Sequence, residues 1–454
     1  MLRFGTDGIR GDAAAGLPTE LVVALGRAAA RVTGAPRFLV ARDTRASGPR
    51  LVRDLATGFA LEGARCESAG VLPTPGLAVL SRERDEWAAM ISASHNVWSD
   101  NGIKFFAPGG SKLSDAHQSA IEVELHALAA APAPGGLGAP DGADSSAIAS
   151  IDDARDVYER YLLGQLAPGA LQGLEVVLDC AHGAAFEVAP DVFAALGAEV
   201  TVLHAAPDGR NINAGCGSTH PEVLQAAVVA RGAHLGLAFD GDADRVLAVD
   251  ERGALIDGDQ IMAIMALALR ARGALPGDRI AVTVMSNLGL RRALEAHGIG
   301  VVETPVGDRQ VVAAMVRDGL ALGGEQSGHI IFGDRAGTGD GTLTGLLLAA
   351  EVAAPADTGP RPLSELAAVM ERLPQVLVNV RLAAPLAGEA NLEVERVTAE
   401  VAQELGRSGR ILVRPSGTEP MVRVMVEAPT AERATAAAQR VAEVLRNAAG
   451  PNSA

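Results

Sequence analysis

A short polar stretch of the sequence has the residue types for covalent chemistry. Ile91-Ser92-Ala93-Ser94-His95-Asn96 begins where the apolar run Trp87 to Ile91 ends. In open α/β sheets, ligands bind at the carboxyl ends of the strands, which is where this stretch would lie. A serine hydroxyl there can act as a nucleophile or carry a phosphoryl group if a neighbouring group handles its proton and charge. Ser and Asn are also common turn residues, so the stretch taken alone favours an ordinary polar turn.

Three carboxylates at alternate positions form the strongest local signal. Asp240, Asp242 and Asp244 follow the apolar run Leu235 to Phe239. Such close negative charges repel one another unless a cation joins them, and hard oxygen ligands favour Mg²⁺, which leaves positions open for phosphate oxygens. Arg245 adds a guanidinium that can pair with a phosphate. A solvated acidic turn is one alternative, and a phosphatase with Asp240 as its nucleophile would use a similar turn.

Two further segments contain groups that suit a phosphorylated sugar. Residues 414–420 combine small hydroxyl residues and a glycine with a flanking arginine. The backbone N–H groups of such a loop can surround a phosphate while an arginine pairs with it. Glu325, Ser327 and His329 lie in a glycine-rich setting and offer hydrogen bonds to sugar hydroxyls. A hairpin turn and a plain loop are the respective alternatives.

Two other loops carry weaker signals of the same kind. Gly307 and Asp308 lie in the polar segment Thr304 to Arg309, and Arg10 ends a small polar loop that includes Thr6 and can reach an anion. The sum of these signals is more specific than any one of them. A hydroxyl nucleophile, an acidic triad, a phosphate loop and a polyol loop together supply the positioning and charge neutralisation that phosphoryl transfer needs.

The positions of the lysines are informative because lysine is almost absent. Lys104 and Lys112 are the lysines among 39 basic residues, and both follow the serine stretch closely. The pKa of an ammonium group can be lowered by burial, whereas a guanidinium stays charged. Lys104 is therefore a candidate for proton transfer, and Lys112 is interpreted as a surface residue.

Composition limits the class of protein. A chain of 454 residues with 48% apolar residues is typical of a multidomain globular protein. The net charge of −16 argues against nucleic-acid partners. The cysteines, Cys66, Cys180 and Cys216, show no metal-ligand spacing and fit a reducing compartment. The N-terminus lacks the apolar region of a secretory signal and no apolar run is long enough to span a membrane, so we expect a cytoplasmic protein without membrane partners.

Strand and helix patterns alternate along most of the chain, which indicates βαβ units with parallel sheets. Helices are predicted at 19–32, 49–62, 114–129 and 184–196, and strands at 37–41, 175–178 and 234–239. Segments rich in Ala, Pro, Gly and Ser at 131–150 and 354–362 are interpreted as linkers. The sequence thus predicts domains at 1–145, 152–250, 251–360 and 363–454, and the last has an α+β pattern.

Taken together and in order, the motifs resemble the α-D-phosphohexomutase family over nearly the whole chain. The Asn211-Ile212-Asn213 segment, the opening motif and the motif at 324–329 are similar to the glucosamine branch rather than to the mannose/glucose branch. The resemblance implies an α/β fold of three similar α/β domains plus a C-terminal α+β (TBP-like) domain around a central cleft. The matching segments are Phe4 to Gly11, Ser92 to Asn96, Asp240 to Arg245, Glu325 to His329 and Arg414 to Pro420.

The resemblance also implies roles for the candidate residues. Ser94 would be the phosphoserine, and its phosphate would bind Mg²⁺ together with Asp240, Asp242 and Asp244. The transferring phosphoryl group would be surrounded by three residues that serve proton transfer, namely His95, Lys104 and Arg10. Sugar hydroxyls and the phosphate that is not being transferred would contact the remaining residues, which are Arg245, Gly307, Asp308, Glu325, Ser327, His329, Arg414, Ser416, Gly417, Thr418 and Arg423.

The reaction implied by the resemblance interconverts glucosamine 6-phosphate and glucosamine 1-phosphate, for the synthesis of UDP-N-acetylglucosamine and cell-wall precursors. Phospho-Ser94 would give its phosphoryl group to the anomeric oxygen, and Ser94 would take back the 6-phosphoryl group of the resulting 1,6-bisphosphate. A hexose 1,6-bisphosphate would act as activator, and the enzyme would be a monomer or homodimer. A phosphomannomutase or phosphoglucomutase is the nearest alternative, and a noncatalytic phosphosugar-binding protein is a more distant one.

Three positions depart from the family pattern. Val97-Trp98-Ser99 follows the serine motif where Pro and aromatic residues are expected, so the loop there would adopt a different path. Ala243 stands where the metal turn often has Gly. His182 stands where the branch usually has Asn. None of these departures removes a group that performs chemistry.

Overall fold

The computed structural model describes residues 8–130, 148–354, 359–382, 389–415 and 421–449. The chain divides into two compact units. The first contains residues 1–285 and 299–369, and the second contains residues 286–298 and 370–454. The candidate residues on the first unit can therefore be placed relative to one another, and those on the second unit likewise.

The first unit begins with a seven-stranded sheet in the order β1-β5-β4-β2-β3-β7, with β6 paired to β5. Strands β2, β3, β4 and β7 are parallel, whereas β5 runs antiparallel to both β4 and β1. The core between sheet and helices includes the stacked rings of Phe38 and Phe59, whose centroids are 4.0 Å apart. The elements are β1 (Ile9–Asp12), α1 (Thr19–Thr33), β2 (Arg37–Arg42), α2 (Gly48–Leu61), β3 (Arg65–Val71), α3 (Thr74–Arg84), β4 (Trp87–Ile91), β5 (Asp100–Ala107), β6 (Ser111–Lys112), α4 (Asp115–Ala130) and β7 (Ile148–Ser150).

A second, five-stranded sheet has the order β12-β11-β10-β8-β9. Its strands β8, β9 and β10 are parallel, and β11 returns antiparallel beside β10. The strand β10 is buried along its whole length, which is why its sequence is continuously apolar. The elements are α5 (Ala154–Leu163), β8 (Glu175–Asp179), α6 (Val188–Ala195), β9 (Glu199–Leu203), α7 (Glu222–Arg231), β10 (Leu235–Phe239), β11 (Val246–Asp250) and β12 (Leu255–Ile256).

The third sheet has four strands in the order β14-β13-β15-β16. Strands β13, β14 and β15 are parallel, and β16 is antiparallel to β15. The helix α8 opens with a capping box, in which the Asp257 carboxylate accepts from the backbone N–H of Gln260 and the Gln260 side chain accepts in return. The elements are α8 (Gly258–Ala271), β13 (Arg279–Thr283), α9 (Leu288–Ala296), β14 (Gly300–Thr304), α10 (Asp308–Asp318), β15 (Leu322–Gly324), β16 (Ile330–Phe332), α11 (Gly341–Ala353) and α12 (Leu363–Ala367).

The second unit is an α+β arrangement around an antiparallel sheet of order β17-β19-β18. Helix α9 belongs to this unit, since the side chain of Asn287 donates to the carbonyl of Leu373 at 3.0 Å and the backbone N–H of Leu288 donates to Glu427 at 2.9 Å. A buried apolar cluster joins the sheet to its two long helices. The C-terminal elements are β17 (Gln375–Arg381), α13 (Glu389–Leu405), β18 (Arg410–Pro415), β19 (Met421–Glu427) and α14 (Ala431–Ala449).

The three sheets of the first unit share one topology. Their orders β5-β4-β2-β3, β11-β10-β8-β9 and β16-β15-β13-β14 superpose strand for strand, with an antiparallel strand at one edge each time. The loop before that antiparallel strand contains Ser94 in the first sheet, Asp240 to Arg245 in the second and Glu325 to His329 in the third. The candidate chemistry thus occupies the same position in all three sheets.

The prediction of three α/β units followed by an α+β unit is confirmed, with three corrections. The sheets are mixed rather than parallel, because each ends in an antiparallel strand. Within the predicted linker 131–150, residues 148–150 form β7 beside β3, and residues 131–147 lie outside the described residues. The helix predicted at 184–196 is shorter, Val188–Ala195, because residues 184–187 form turns instead of helix. The domain boundaries stay a prediction.

No helix within the described residues is long and apolar enough to cross a lipid bilayer.

Candidate active site

Ser94 lies at the centre of the loop between β4 and β5. Its backbone takes a left-handed φ of 53°, and the residue is 1% exposed. The hydroxyl Oγ donates to Oδ2 of Asp240 at 2.5 Å and lies 3.3 Å from Nδ1 of His95. A left-handed backbone at a residue with a side chain costs about 1–3 kcal/mol and persists where surrounding contacts enforce it. The Ser94 hydroxyl is therefore held against the acidic triad by its loop.

The contact that enforces this loop conformation comes from Arg45, which is fully buried. Its Nε donates to the equally buried Asp43 at 2.8 Å, so the charge is paired inside the protein. The other guanidinium hydrogens are directed at backbone carbonyls of the loop. The acceptors are the carbonyl oxygens of Ser94 and Asn96 at 2.9 Å each, that of Asp100 at 3.0 Å, and that of Val97.

Two more side chains hold the same loop. Asn213 donates from Nδ2 to the carbonyls of Ser94 and Asn96, at 2.9 Å each. The Ser92 hydroxyl donates to Asp43 at 2.7 Å and accepts the backbone N–H of Ser94 at 2.9 Å. These contacts give Ser92 a structural role in the loop.

The predicted acidic triad lies directly beside Ser94. Asp240, Asp242 and Asp244 are all buried, and one carboxylate oxygen from each lies within 4.8 Å of the others. Ala243 takes a left-handed φ of 55°, which explains why a glycine suits this turn and why alanine is the next smallest substitute. The residue Gly241 has no room for a Cβ, which would lie 2.6 Å from the Ser94 carbonyl.

The triad has the donor set of a hard cation site. Oδ1 of Asp242 and Oδ1 of Asp244 are buried and accept no hydrogen bond from any residue that the structure describes. Burial and the charges of Asp244 and Asp242 raise the pKa of Asp240 well above its ordinary value. Buried carboxylate oxygens without a proton donor are what Mg²⁺ would satisfy, so the residues present fit the ion.

Lys104 is the principal cation at the triad. It extends from β5, is 3% exposed, and donates from Nζ to Oδ2 of Asp242 at 2.9 Å and to Oδ2 of Asp244 at 3.5 Å. Burial opposes ionisation of Asp244, but the charges of Lys104 and His329 outweigh it and hold the pKa of Asp244 well below its ordinary value. Thr74 at the start of α3 donates to the same Asp242 oxygen at 2.6 Å and was not predicted from the sequence.

His95 lies beside the Ser94 hydroxyl and contacts Arg245. Nη1 of Arg245 is 3.2 Å from Nδ1 of His95, and the backbone N–H of Arg245 donates to Asp240 at 3.2 Å. Burial lowers the pKa of His95 to about 4, with further lowering by the charges of Arg245 and Arg10. The imidazole is therefore neutral at pH 7. Arg10, on β1, is opposite Gly102 in the register with β5.

The predicted sugar loop is joined to the triad through His329. This imidazole is buried, with Nδ1 at 3.7 Å from Oδ1 of Asp244 and Nε2 at 3.8 Å from Oδ2 of Asp308. Asp308 also pairs with Lys112, so the interpretation of Lys112 as a plain surface residue is wrong. Glu325 accepts the backbone N–H of Gly307 at 3.1 Å, which brings these two predicted positions together.

The second unit contains Arg414 on β18 and Arg423 on β19. The two residues are directly opposite each other in the antiparallel register. Burial, and then the charge of Arg423, lower the pKa of Arg414. Like charges at directly opposed positions destabilise a sheet, and an anion bound between them removes that cost. Ser416, Gly417 and Thr418 lie outside the described residues, as do Thr6 and Asp7.

The residues that position the candidate groups were not predicted from the sequence. Asp43 and Arg45 follow β2 at its carboxyl end, and Asn213 lies in the motif used to distinguish the branch. The signal that could have found Asp43 and Arg45 is their position, because they end a strand neighbouring β4 in the same sheet.

Comparisons with known proteins agree with this geometry. Models of the phosphoglucomutase/phosphomannomutase family match four successive segments. They are alpha/beta/alpha domain I at residues 1–131, domain II at 157–253, domain III at 257–373 and the C-terminal domain at 377–444.

Individual relatives span the full chain. A phosphoglucosamine mutase of Streptomyces coelicolor is 51% identical over 456 residues, which cover 98% of this chain and 99% of that protein. A solved phosphoglucomutase/phosphomannomutase family protein of Burkholderia thailandensis is 26% identical, with a TM-score of 0.78 over 99% of this chain and 98% of that one. An Aspergillus fumigatus N-acetylphosphoglucosamine mutase, solved with GlcNAc-6P and magnesium, is 18% identical and shares the fold, with a TM-score of 0.68 over 99% and 96% of the two chains.

Proposed function

The chain belongs to the phosphoglucomutase/phosphomannomutase family, and from that membership we propose that it interconverts glucosamine 6-phosphate and glucosamine 1-phosphate. The observation that carries the proposal is the Ser94 hydroxyl, buried and 2.5 Å from Asp240 within a triad of carboxylates. A hydroxyl held in this way is suited to carry a phosphoryl group between two oxygens of one sugar. The activity is that of an intramolecular phosphotransferase, which belongs to the isomerases.

The reaction proceeds through a phosphorylated Ser94. The P–Oγ bond of phospho-Ser94 breaks as the anomeric hydroxyl of glucosamine 6-phosphate forms a new P–O bond, which gives the 1,6-bisphosphate. The proton of that hydroxyl leaves to a base of the protein. After the bisphosphate turns around, the Ser94 oxygen attacks the 6-phosphorus, the P–O6 bond breaks and the proton returns to O6. Glucosamine 1-phosphate leaves, and Ser94 is phosphorylated again.

Three basic side chains are assigned to the transferring phosphoryl group. Nδ1 of His95 lies 3.3 Å from the Ser94 oxygen, within reach of the proton that moves at each transfer. The ammonium of Lys104 lies beside Asp242 and Asp244 and can offset the negative charge of a phosphoryl group brought to Ser94. Arg10 extends from β1 next to β5 and is assigned to the same group.

Asp240, Asp242, Asp244 and the phosphate of phospho-Ser94 are assigned as the ligands of a Mg²⁺ ion. When bound, this ion supplies charge neutralisation for the phosphoryl oxygens. Asp240 accepts from the Ser94 hydroxyl, and Asp242 is fixed by Lys104 and Thr74, so the protein preorients these carboxylates before phosphate arrives.

Separate groups are assigned to the sugar and to its phosphate. Glu325 and Ser327, whose Oγ lies 3.4 Å from the Glu325 carboxylate, are assigned to the sugar hydroxyls, with Arg245, Gly307, Asp308 and His329 around them. Arg414 and Arg423, with Ser416, Gly417 and Thr418 between them in the sequence, are assigned to the phosphate that is not being transferred. The opposed arginines favour an anion of this kind.

The activator in this proposal is a hexose 1,6-bisphosphate, which rephosphorylates Ser94 when the intermediate escapes. The product is a precursor for UDP-N-acetylglucosamine and hence for peptidoglycan. The preference for glucosamine over glucose or mannose is supported by the glucosamine-type segments at 211–213 and 324–329. A cytoplasmic location and a monomer or homodimer stay predictions.

The test is a comparison of kcat/KM for the 6-phosphates of glucosamine, glucose and mannose at saturating Mg²⁺ and glucose 1,6-bisphosphate. We expect glucosamine 6-phosphate to be preferred by at least ~100-fold. A site that hydrogen-bonds a polar group of its substrate discriminates by at least this factor against an analogue that leaves the protein group unpaired. Preference for mannose or glucose would overturn the substrate assignment. Hydrolysis of all three to inorganic phosphate would instead identify a phosphatase.

A second measurement tests the covalent centre. Intact mass and peptide mapping should place one phosphate on Ser94 after incubation with glucose 1,6-bisphosphate. Ser94→Ala should carry no phosphate and show no turnover. A phosphate on Asp240, or full activity in Ser94→Ala, would refute the phosphoserine mechanism.

A further inference from the structure

Three side chains with different metal-binding atoms meet at the carboxyl end of β8 in the second sheet. Asp179 ends β8, His204 follows β9, and Cys216 lies just before the turn at Gly217. One ligand atom from each lies within 4.8 Å of the other two. They come from three separate segments, which is why the cysteine spacing of the sequence gave no sign of them.

The geometry of each group suits a cation. Nδ1 of His204 is buried and lies 3.0 Å from Oδ2 of Asp179, yet it makes no hydrogen bond of good geometry with any described residue. The Asp179 carboxylate is fixed by backbone N–H groups, since Oδ1 accepts from Ala181 at 2.9 Å and Oδ2 from Gly217 at 3.0 Å. Carboxylates held in this way are typical of metal ligands with an ordered surrounding.

The sulfur of Cys216 determines which metals the site would bind. The Sγ of Cys216 is fully buried, and the backbone amides of Ala214 and Asn213 are directed at it. Amides directed at sulfur stabilise a thiolate once a cation replaces the proton. Thiolate, imidazole and carboxylate are the ligands of Zn²⁺ or Co²⁺ rather than of Mg²⁺.

From this arrangement we propose that Asp179, His204 and Cys216 form a second metal site, specific for a borderline divalent cation such as Zn²⁺ and separate from the acidic triad. Binding replaces the S–H proton of Cys216 with an S–metal bond and releases that proton to solvent. One carboxylate and one thiolate then neutralise the divalent charge, and the protein supplies three ligands. A fourth position stays open to water, since the His204 side chain is 24% exposed.

Metal binding would stabilise the residues that support the active site and would take no part in the reaction. The segment that carries Cys216 also carries Asn213, whose backbone N–H donates to the carbonyl of Ala181 at 2.9 Å and whose side chain holds the carbonyl of Ser94. The next residue after Ala181, His182, has its carbonyl held by Thr44 at 2.6 Å. A metal that joins β8, β9 and this segment would therefore stabilise the support of the Ser94 loop.

The experiment uses the full chain, treated with a chelator and dialysed into excess Mg²⁺, and then titrated with Co²⁺. A thiolate ligand gives an intense near-ultraviolet charge-transfer band that oxygen ligands of the triad cannot produce. We expect this band to saturate at one Co²⁺ per chain and to disappear when Zn²⁺ is added. We also expect Zn²⁺ to raise the melting temperature in the presence of Mg²⁺.

The variants separate a metal site from a hydrogen-bonded cluster. His204 takes a left-handed φ of 50°, so His204→Gly removes the ligand while suiting the backbone, and it should fold. His204→Gly and Cys216→Ala should weaken Co²⁺ binding by more than ~100-fold, since even partners of ligands cost 10–100-fold.

Cys180→Ala is the matched control, because Cys180 is equally buried and adjoins Asp179 but is not part of the cluster. It should keep the band and the Zn²⁺-dependent rise in melting temperature. Absence of the band in the unaltered protein, or its survival in His204→Gly, would overturn the proposal and leave a structural cluster only.

Discussion

Nη2 of Arg45 lies 2.9 Å from the carbonyl oxygen of Ser94, and both residues are shielded from solvent. A buried guanidinium thus fixes the backbone of the residue that is proposed to carry the phosphoryl group. Removing it should affect the position of the hydroxyl more than the binding of the sugar.

Arg45→Lys should therefore lower kcat by about 10- to 100-fold. A lysine cannot reach four carbonyls at once, and each lost hydrogen bond to a charged group costs about 1.5–3 kcal/mol. KM for glucosamine 6-phosphate should change less. Steady-state kinetics and the rate of phosphate incorporation at Ser94 measure the effect. Arg50→Lys is the control, because Arg50 donates to the carbonyls of Ala13 and Leu17 in the same domain. Equal losses in the two variants would contradict a positioning role.

Asp242→Asn should nearly abolish Mg²⁺-dependent turnover while the protein stays folded. The substitution keeps an acceptor for Thr74 but removes a negative charge from the proposed cation site, a loss of several kcal/mol in charge neutralisation. Turnover against Mg²⁺ concentration and the thermal unfolding curve are the measurements. Asp250→Asn provides a comparison, because Asp250 is also buried in the second sheet but caps a turn through the N–H groups of Arg252 and Ala254. Unchanged activity in Asp242→Asn would refute the metal assignment.

Gly183→Ala should displace the turn that carries the triad. A Cβ at Gly183 would lie 2.5 Å from the carbonyl oxygen of Gly241, and that backbone atom cannot move without moving the turn. Overpacking of this kind costs about 1–3 kcal/mol. We expect a lower urea midpoint and a higher Mg²⁺ requirement. Gly164→Ala should have little effect on either, since a Cβ there meets nothing closer than 3.4 Å.

Asp340 should make stability depend on pH. Burial raises the pKa of its carboxyl from 3.8 to about 7, although the N–H of Leu343 and the hydroxyl of Tyr158 donate to it. The folded state binds the proton more tightly than the unfolded state, so this contribution is fully present below about pH 4 and is lost as the pH rises through about 7. Between pH 5 and pH 8 the loss is about 2–3 kcal/mol.

Urea unfolding of the unaltered protein and of Asp340→Asn at several pH values measures this pH-dependent contribution to the free energy of unfolding. The asparagine keeps an acceptor at the start of α11 and cannot ionise. The difference in unfolding free energy should therefore shift in favour of the variant as the pH rises from 5 to 8. A difference that is constant with pH would show that Asp340 ionises normally.

Arg423→Gln should separate substrate binding from sheet stability. The change removes one of two directly opposed positive charges, so the second unit should be as stable as before or more stable. KM for glucosamine 6-phosphate should rise by at least ~10-fold, because a charge-assisted phosphate contact is lost. Arg381→Gln, on β17 of the same sheet, should leave KM unchanged. A similar KM in both variants would contradict the phosphate assignment.

Local sequence patterns placed Ser94 and Asp240 after the ends of strands, and the structure has both residues there. The runs before Ser94 and Asp240 are apolar because β4 and β10 are buried, and their carboxyl ends mark the ligand edge. The antiparallel strands β5 and β11 were not anticipated. Asp100 and Asn101 begin β5 and conceal its strand pattern, and β11 is a five-residue strand directly after the polar turn Asp240 to Arg245. Arg45, Asn213 and Thr74 act on partners far along the chain, often on backbone carbonyls that have no sequence signature. Their roles could therefore be identified only from the three-dimensional structure.

The common strand order of the three sheets has a consequence for how this molecule can change. The three sheets have the same antiparallel hairpin. The loops of these hairpins carry the candidate nucleophile, the candidate cation ligands and the candidate sugar-binding residues, respectively. Such a division lets one loop be changed with limited effect on the others, provided that the contacts between the loops are kept. Exchanging residues 325–327 for those of a relative with another sugar preference, with His329 retained beside Asp244, is therefore a route to altered specificity.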